Sequence, residues 1–344
     1  MNQIGKLFFT GLSGTTLTKN EEDFIREYSL GGVILFSKNY SNREQLKNLC
    51  TSIKNIQSDI LIATDHEGGR VQRFRKEFTE FPSMMEIAKL GSPKLCYEVH
   101  EQMAKELSYC GVNVNLSPCA DILIDPNCDV IGDRSFGDSK EIVSEFASSA
   151  VRGLQTNGVF SCLKHFPGHG NTSVDSHEDL PTINDELDVI KDRDIFPFKR
   201  AVKSKCGFVM MAHLNIPSVD KEKMTTVSPK AYELCRDALR FNGIIITDDM
   251  EMGAIEKTYG RVEAAKMAIL AGATMVEYRS FEKTYEVVRH LAADESLSSK
   301  FEINEKIIHQ VKKSLLNKTE CHSSDVFFEG EKLNQKIRSA LLIK

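Results

Sequence analysis

The sequence predicts an α/β fold, a single (β/α)8 TIM-type barrel with a short C-terminal tail. Three observations carry that expectation. Eight short apolar runs recur along the chain, helical patterns lie between them, and polar residues gather at the C-terminal ends of the runs. Continuous apolar runs of this length suit strands buried on both faces, as in a parallel sheet. Eight such units within 344 residues read as a closed barrel rather than an open doubly wound sheet.

The runs are KLFFTG at 6–11, GGVILF at 31–36, ILIATD at 60–65 and VNVNLS at 112–117. They continue with FSCLKH at 160–165, GFVMMAH at 207–213, GIIITD at 243–248 and ATMVEY at 273–278. Helical patterns fill the gaps, among them REQLKNLCTSIKNI after the second run and KEIVSEFASSAVRGLQTNG before the fifth. No linker interrupts the pattern before about residue 316, so residues 1–315 are expected to form one catalytic barrel. Residues 316–344 begin polar and end in a short amphipathic pattern. That stretch is too small for a second core and is expected to pack on the barrel.

Composition excludes several classes of partner. Hydrophobic residues make up 41% and charged residues 27%, an ordinary mixture for a globular protein with a sizeable core. A net charge of -5 leaves no basic footprint, which argues against nucleic acid and against stable membrane association. The N-terminal stretch lacks the basic region, long apolar segment and cleavage site of a secretory signal. Nine scattered cysteines, with no CxxC pair, are better explained by reduced thiols than by a disulfide framework or a zinc site. The expectation is a cytoplasmic monomer.

Asp65, Lys164, His165, His213 and Asp248 all fall where a strand should end. That rim is where barrel enzymes place their chemistry, because the βα loops converge there on one mouth. Four blocks stand out. The strongest is KHFPGHGNTSVDSHEDLP at 164–181, in which a Gly-containing loop leads to Asp175 and His177, two residues apart. A carboxylate beside an imidazole can fix its tautomer and stabilise its protonated form. The second block, IIITDDMEMGA, brings out Asp248 and Asp249, and a carboxylate there could attack an anomeric carbon. Asp249 alternatively caps the following helix. The third, ATDHEGGRVQRF at 63–74, holds Asp65, Arg70 and Arg73. The fourth, DVIGDRSFGD at 129–138, offers the planar guanidinium of Arg134.

Together these blocks resemble the β-N-acetylglucosaminidases of glycoside hydrolase family 3, in their short, one-domain bacterial form. The resemblance runs from LGGVILFSKNY at 30–40 to about residue 278. It implies Asp248 as nucleophile, His177 as general acid/base and Asp175 as the partner of His177. It also implies that Asp65, Arg73, Arg134, Lys164 and His165 bind the sugar. No cofactor or metal is expected, since the sequence shows no credible ligand set beyond the loop cluster. The implied reaction removes terminal N-acetylglucosamine from peptidoglycan fragments (anhydro-muropeptides) in the cytoplasm, with retention through a covalent glycosyl-enzyme. One departure is visible. The AG-x-D pattern of the family reads AGATMVEYRS here, with Thr274 for the acid and Glu277 and Arg279 near the strand end.

Two other functions fit the same residues. A phosphorylase would use phosphate in place of water, and a histidine tolerates an incoming anion better than a glutamate does. A catalytically dead sugar-binding barrel would keep the pocket and lose the chemistry. The grouping of His165, His169, Asp175 and His177 uses zinc-type residues but matches no metal motif.

Overall fold

The computed structural model describes residues 3–172, 180–315 and 322–343. Eight strands form the barrel: β1 (Phe8–Gly11), β2 (Gly32–Leu35), β3 (Leu61–Thr64), β4 (Val114–Asn115), β5 (Phe160–Phe166), β6 (Phe208–Met211), β7 (Ile244–Asp249) and β8 (Met275–Tyr278). Each is parallel to its neighbours, and β8 closes on β1 through Phe8–Val276 and Thr10–Tyr278 pairs. All eight predicted runs are therefore barrel strands. The fourth is much shorter than its run, yet backbone bonds to its neighbours continue past it: the Leu116 N–H donates to Thr64, and the Ser117 and Pro118 carbonyls accept from Cys162 and Lys164. Cys119 bridges to Lys164 beyond them.

The barrel interior is a packed core. Phe9 of β1 meets Phe208 of β6 edge to face with centroids 6.4 Å apart, and Phe208 meets Phe160 of β5 at 5.8 Å. Strands β1 and β6 are not neighbours, so the Phe9–Phe208 contact must cross the interior. Phe9 has room because its partner in register is Gly32, where a Cβ would lie 2.2 Å from the phenyl ring.

Local chemistry fixes the helices around this core. Thr18 and Glu21 form a reciprocal capping box at the start of Lys19–Tyr28. Asn42 caps Arg43–Ile56, which coincides with the predicted segment, and Ser139 caps Lys140–Thr156. Ser92–Pro93 and Ser228–Pro229 pair a cap with a proline at the first helical position. The C-terminal helix Val326–Ile343 lies against the barrel. Phe327 contacts Phe78 and Tyr109 with centroids 5.3 and 5.4 Å away, and Gly330 permits close approach to Thr79 and Glu106. No helix among the described residues is long and apolar enough to cross a membrane.

Candidate active site

A cavity of about 870 Å3 opens at the C-terminal rim of the strands. Asp65, Arg73, Arg134, Lys164, His165 and Asp248 all line it, which brings six of the sequence-derived site residues onto one surface. His177 and Asp175 lie outside the described residues.

The floor is a network of buried charges. Lys164, on β5, places Nζ 2.7 Å from Asp65 Oδ1 and 2.7 Å from Glu67 Oε1. Arg73 donates to Asp65 Oδ2 at 2.9 Å, and Arg134 donates to both Glu67 oxygens at 2.8 and 3.0 Å. Burial alone would push the Glu67 carboxyl up, but Arg134 and Lys164 outweigh it and hold it near about 2. Asp65 follows the same logic: burial opposes the charge, and Lys164 and Arg73 drive its carboxyl far below the usual range. The result is a set of hydrogen-bonding groups whose orientations are fixed by one another.

The turn that carries Asp65 and Glu67 is itself held in place. Asn115 of β4 accepts from the His66 N–H at 3.0 Å and donates to the His66 carbonyl at 2.9 Å. The His66 ring faces Phe74 and Phe78 in the core, where burial and the Arg75 charge lower it to about 3. Arg70 donates to the carbonyls of Asp129, Val130 and Ile131 at 2.6–3.2 Å and pairs with Asp133. It thereby fixes the loop that presents Arg134.

Asp121 orients the two histidines of the KHFPGHG block. One of its oxygens lies 2.7 Å from His165 Nδ1, and the other accepts the His169 backbone N–H at 2.7 Å. Arg134 approaches His165 Nε2 at 3.4 Å. Cys119, Asp121 and His165 bring three potential metal-ligand atoms within 4.8 Å of one another. The Asp121 carboxylate already takes bonds from His165, His169 and the Cys119 thiol, so this group acts as an orienting relay as it stands.

Asp248 stands at the end of β7, half-buried, with Oδ1 accepting the Asp249 N–H at 2.8 Å. Burial raises its carboxyl, but His165, His213, that N–H and Lys164 together bring it below the ordinary value. It therefore faces the cavity ionised, the form a nucleophile needs. Its neighbour Asp249 is spent differently. Asp249 Oδ1 accepts from the Glu251 and Arg279 N–H groups at 3.0 and 3.3 Å, so it caps the turn. Burial, with Glu251 and Asp248 nearby, pushes its carboxyl up to about 7.

The loop after β5 uses its glycines for close approach. Gly168 has φ of 135°, and a Cβ on Gly170 would stand 1.8 Å from the Ile122 carbonyl oxygen. His169 and Thr172 are buried and bonded to each other at 3.0 Å. Two residues of this site, Glu67 and Asp121, were not singled out from the sequence. Asp121 is an acid within the apolar stretch CADILI, which is a signal that points to it, whereas Glu67 lies between His66 and Gly68 with no such signal.

The Glycosyl hydrolase family 3 N terminal domain model matches residues 2–315. A β-hexosaminidase of Nitrosomonas eutropha is 36% identical over 273 residues, covering 77% of this chain and 78% of that one. The structure of a family 3 β-N-acetylglucosaminidase from Paenibacillus sp. superposes with a TM-score of 0.91 at 31% identity, covering 98% of this chain and 68% of that one. NagZ from Neisseria gonorrhoeae, in complex with N-trifluoroacetyl-D-glucosamine, gives a TM-score of 0.77 at 29% identity, covering 95% and 98% of the two chains. A match of this extent, on a barrel whose rim carries an ionised aspartate over a polar floor, makes the chain a member of glycosyl hydrolase family 3 and hence a glycoside hydrolase.

Proposed function

We propose that this enzyme is a retaining β-N-acetylhexosaminidase that removes terminal N-acetylglucosamine from peptidoglycan fragments in the cytoplasm. The observation that carries the reading is Asp248, held ionised at the rim of the cavity floored by Lys164, Arg134 and His165. The β-hexosaminidase relatives and the glucosamine derivative bound by NagZ support the sugar class. Asp248 attacks the anomeric carbon while His177 protonates the departing glycosidic oxygen, giving a covalent glycosyl-enzyme. His177 then takes a proton from water, which attacks the same carbon and releases Asp248 with net retention. Asp175 orients and stabilises the imidazolium. An imidazole with an ordinary pKa of about 6.5 can donate and accept near neutral pH, so no strongly raised carboxyl is needed. Asp65, Arg73, Arg134, Lys164 and His165 hold the sugar. Residues 1–315 form the catalytic unit, and residues 316–344 are an appendage to it.

The test is turnover of an aryl β-N-acetylglucosaminide against the matching β-glucoside, each with and without phosphate. Preferred hydrolysis of the N-acetylglucosaminide, with product independent of phosphate, is expected. Product appearing as a sugar phosphate would assign a phosphorylase, and no turnover of either substrate would leave a binding barrel.

A further inference from the structure

Glu277 is a buried carboxyl on the cavity wall whose local chemistry none of the roles above uses. It sits on β8, in register with Phe9 of β1 on one side and with Asp249 of β7 on the other. Phe9 fills the barrel interior, and residues paired in parallel register point to the same face. Glu277 therefore projects inward, above the aromatic layer and into the cavity that it lines. It is 4% exposed, and its Oε2 has no hydrogen-bond partner among the described residues. The Lys164 ammonium, which favours the charged form of Glu277, is already committed to Asp65 and Glu67. Burial, with Asp65, Asp249 and Asp248 around it, pushes its carboxyl well above the usual carboxylate range and favours the protonated form. A protonated carboxyl both donates and accepts.

An apolar side chain at this inward position would cost less, because a buried polar atom without a partner is destabilising. Strand ends of barrel enzymes are where such a cost is retained for function. We propose that Glu277 is a specificity-determining residue whose side chain hydrogen-bonds a hydroxyl group of the sugar held against Asp248. The proposal rests on the N-acetylglucosaminidase reading and adds to it a sugar contact made by β8.

The experiment uses the full chain, the aryl β-N-acetylglucosaminide and its 3-, 4- and 6-deoxy analogues. Glu277→Leu is expected to lower kcat/KM on the parent sugar by about tenfold or more, while Glu277→Gln, which can still donate and accept, stays within about threefold. The wild type should lose about tenfold on one deoxy analogue, and Glu277→Leu should lose nothing further on that same analogue. Its melting temperature should equal or exceed that of the wild type, which separates loss of a contact from loss of the fold. Equal sensitivity of wild type and Glu277→Leu to every deoxy position would overturn the proposal. So would a Glu277→Leu defect confined to a substrate with a free 2-amino group, since that would mark an ammonium counter-ion instead. A wild type that turns over no N-acetylglucosaminide at all would instead defeat the reading on which the proposal rests.

Discussion

Replacing Lys164 by methionine tests whether the floor of the site is held by charge. The ammonium is buried, with side-chain exposure of 3%, and bridges two carboxylates at 2.7 Å each. Removing one partner of a buried ion pair costs about 3–5 kcal/mol. Arg73 still faces Asp65 and Arg134 still faces Glu67 in the variant, so the lower end, about 3 kcal/mol, applies. An unfolding entropy of about 2.1 cal/mol/K per residue gives about 0.7 kcal/mol/K for the chain. The melting temperature should therefore fall by about 4 °C at pH 7, read by thermal unfolding. The sign with pH follows from the lowered carboxyls. Their stabilisation is fully present above the unfolded carboxylate pKa of about 4 and is lost as pH falls toward the folded value, about 2 for Glu67. The gap between wild type and Lys164→Met should be widest at neutral pH and narrow as pH falls from about 4 toward about 2. A gap below about 1 °C at pH 7, or one that persists undiminished at pH 3, would refute the charge-based account and leave only packing.

Asp248→Ala should lower turnover by about a thousandfold or more with little change in melting temperature, and activity within tenfold of the parent would remove it as nucleophile. His177→Ala should be severely slow on a sugar leaving group and far less impaired on an activated aryl glycoside, with azide restoring turnover as the β-azide. Equal impairment on both substrates, without azide rescue, would place the proton donor elsewhere. Asp121→Asn should lose about 1–3 kcal/mol of stability and raise KM, since His165 and His169 lose their shared acceptor; unchanged KM would make Asp121 structural only. A chelator should leave activity intact, and loss restored by a divalent ion would point to a metal.

The barrel was legible because strands buried on both faces read as unbroken apolar runs; six runs contain their strands, and β5 and β7 pass the ends of theirs by one residue, at Phe166 and Asp249. Val114–Asn115 came out shorter than VNVNLS suggested because regular pairing on both sides is decided by the neighbouring strands, which periodicity along one run does not reveal. At the site, residues at strand ends could be found one by one, since position along a strand is a local property. Partnerships could not. Glu67 meets Arg134 across 67 positions and Asp121 meets His165 across 44, separations that only the closed barrel brings together. Arg70 and Arg73 are separated in the sequence only by the resemblance, which gives Arg73 to the sugar and leaves Arg70 as an ion-pair residue; Arg70 indeed pairs with Asp133 and backbone carbonyls, and Arg73 faces Asp65. The difference lies in which loop stands opposite each.

The anchoring of the loop after β5 has a consequence for modularity. On the near side, Gly170 is pressed against Ile122, and Thr172 is tied to His169. On the far side, Pro181 and Ile183 exchange backbone bonds with Asn215 at 2.9 Å each. Both ends of the segment that carries Asp175 and His177 are thus moored to the scaffold independently of its own sequence. These anchors are made by described residues outside 173–179, so exchanging residues of that segment other than Asp175 and His177 leaves each of these bonds with both its partners.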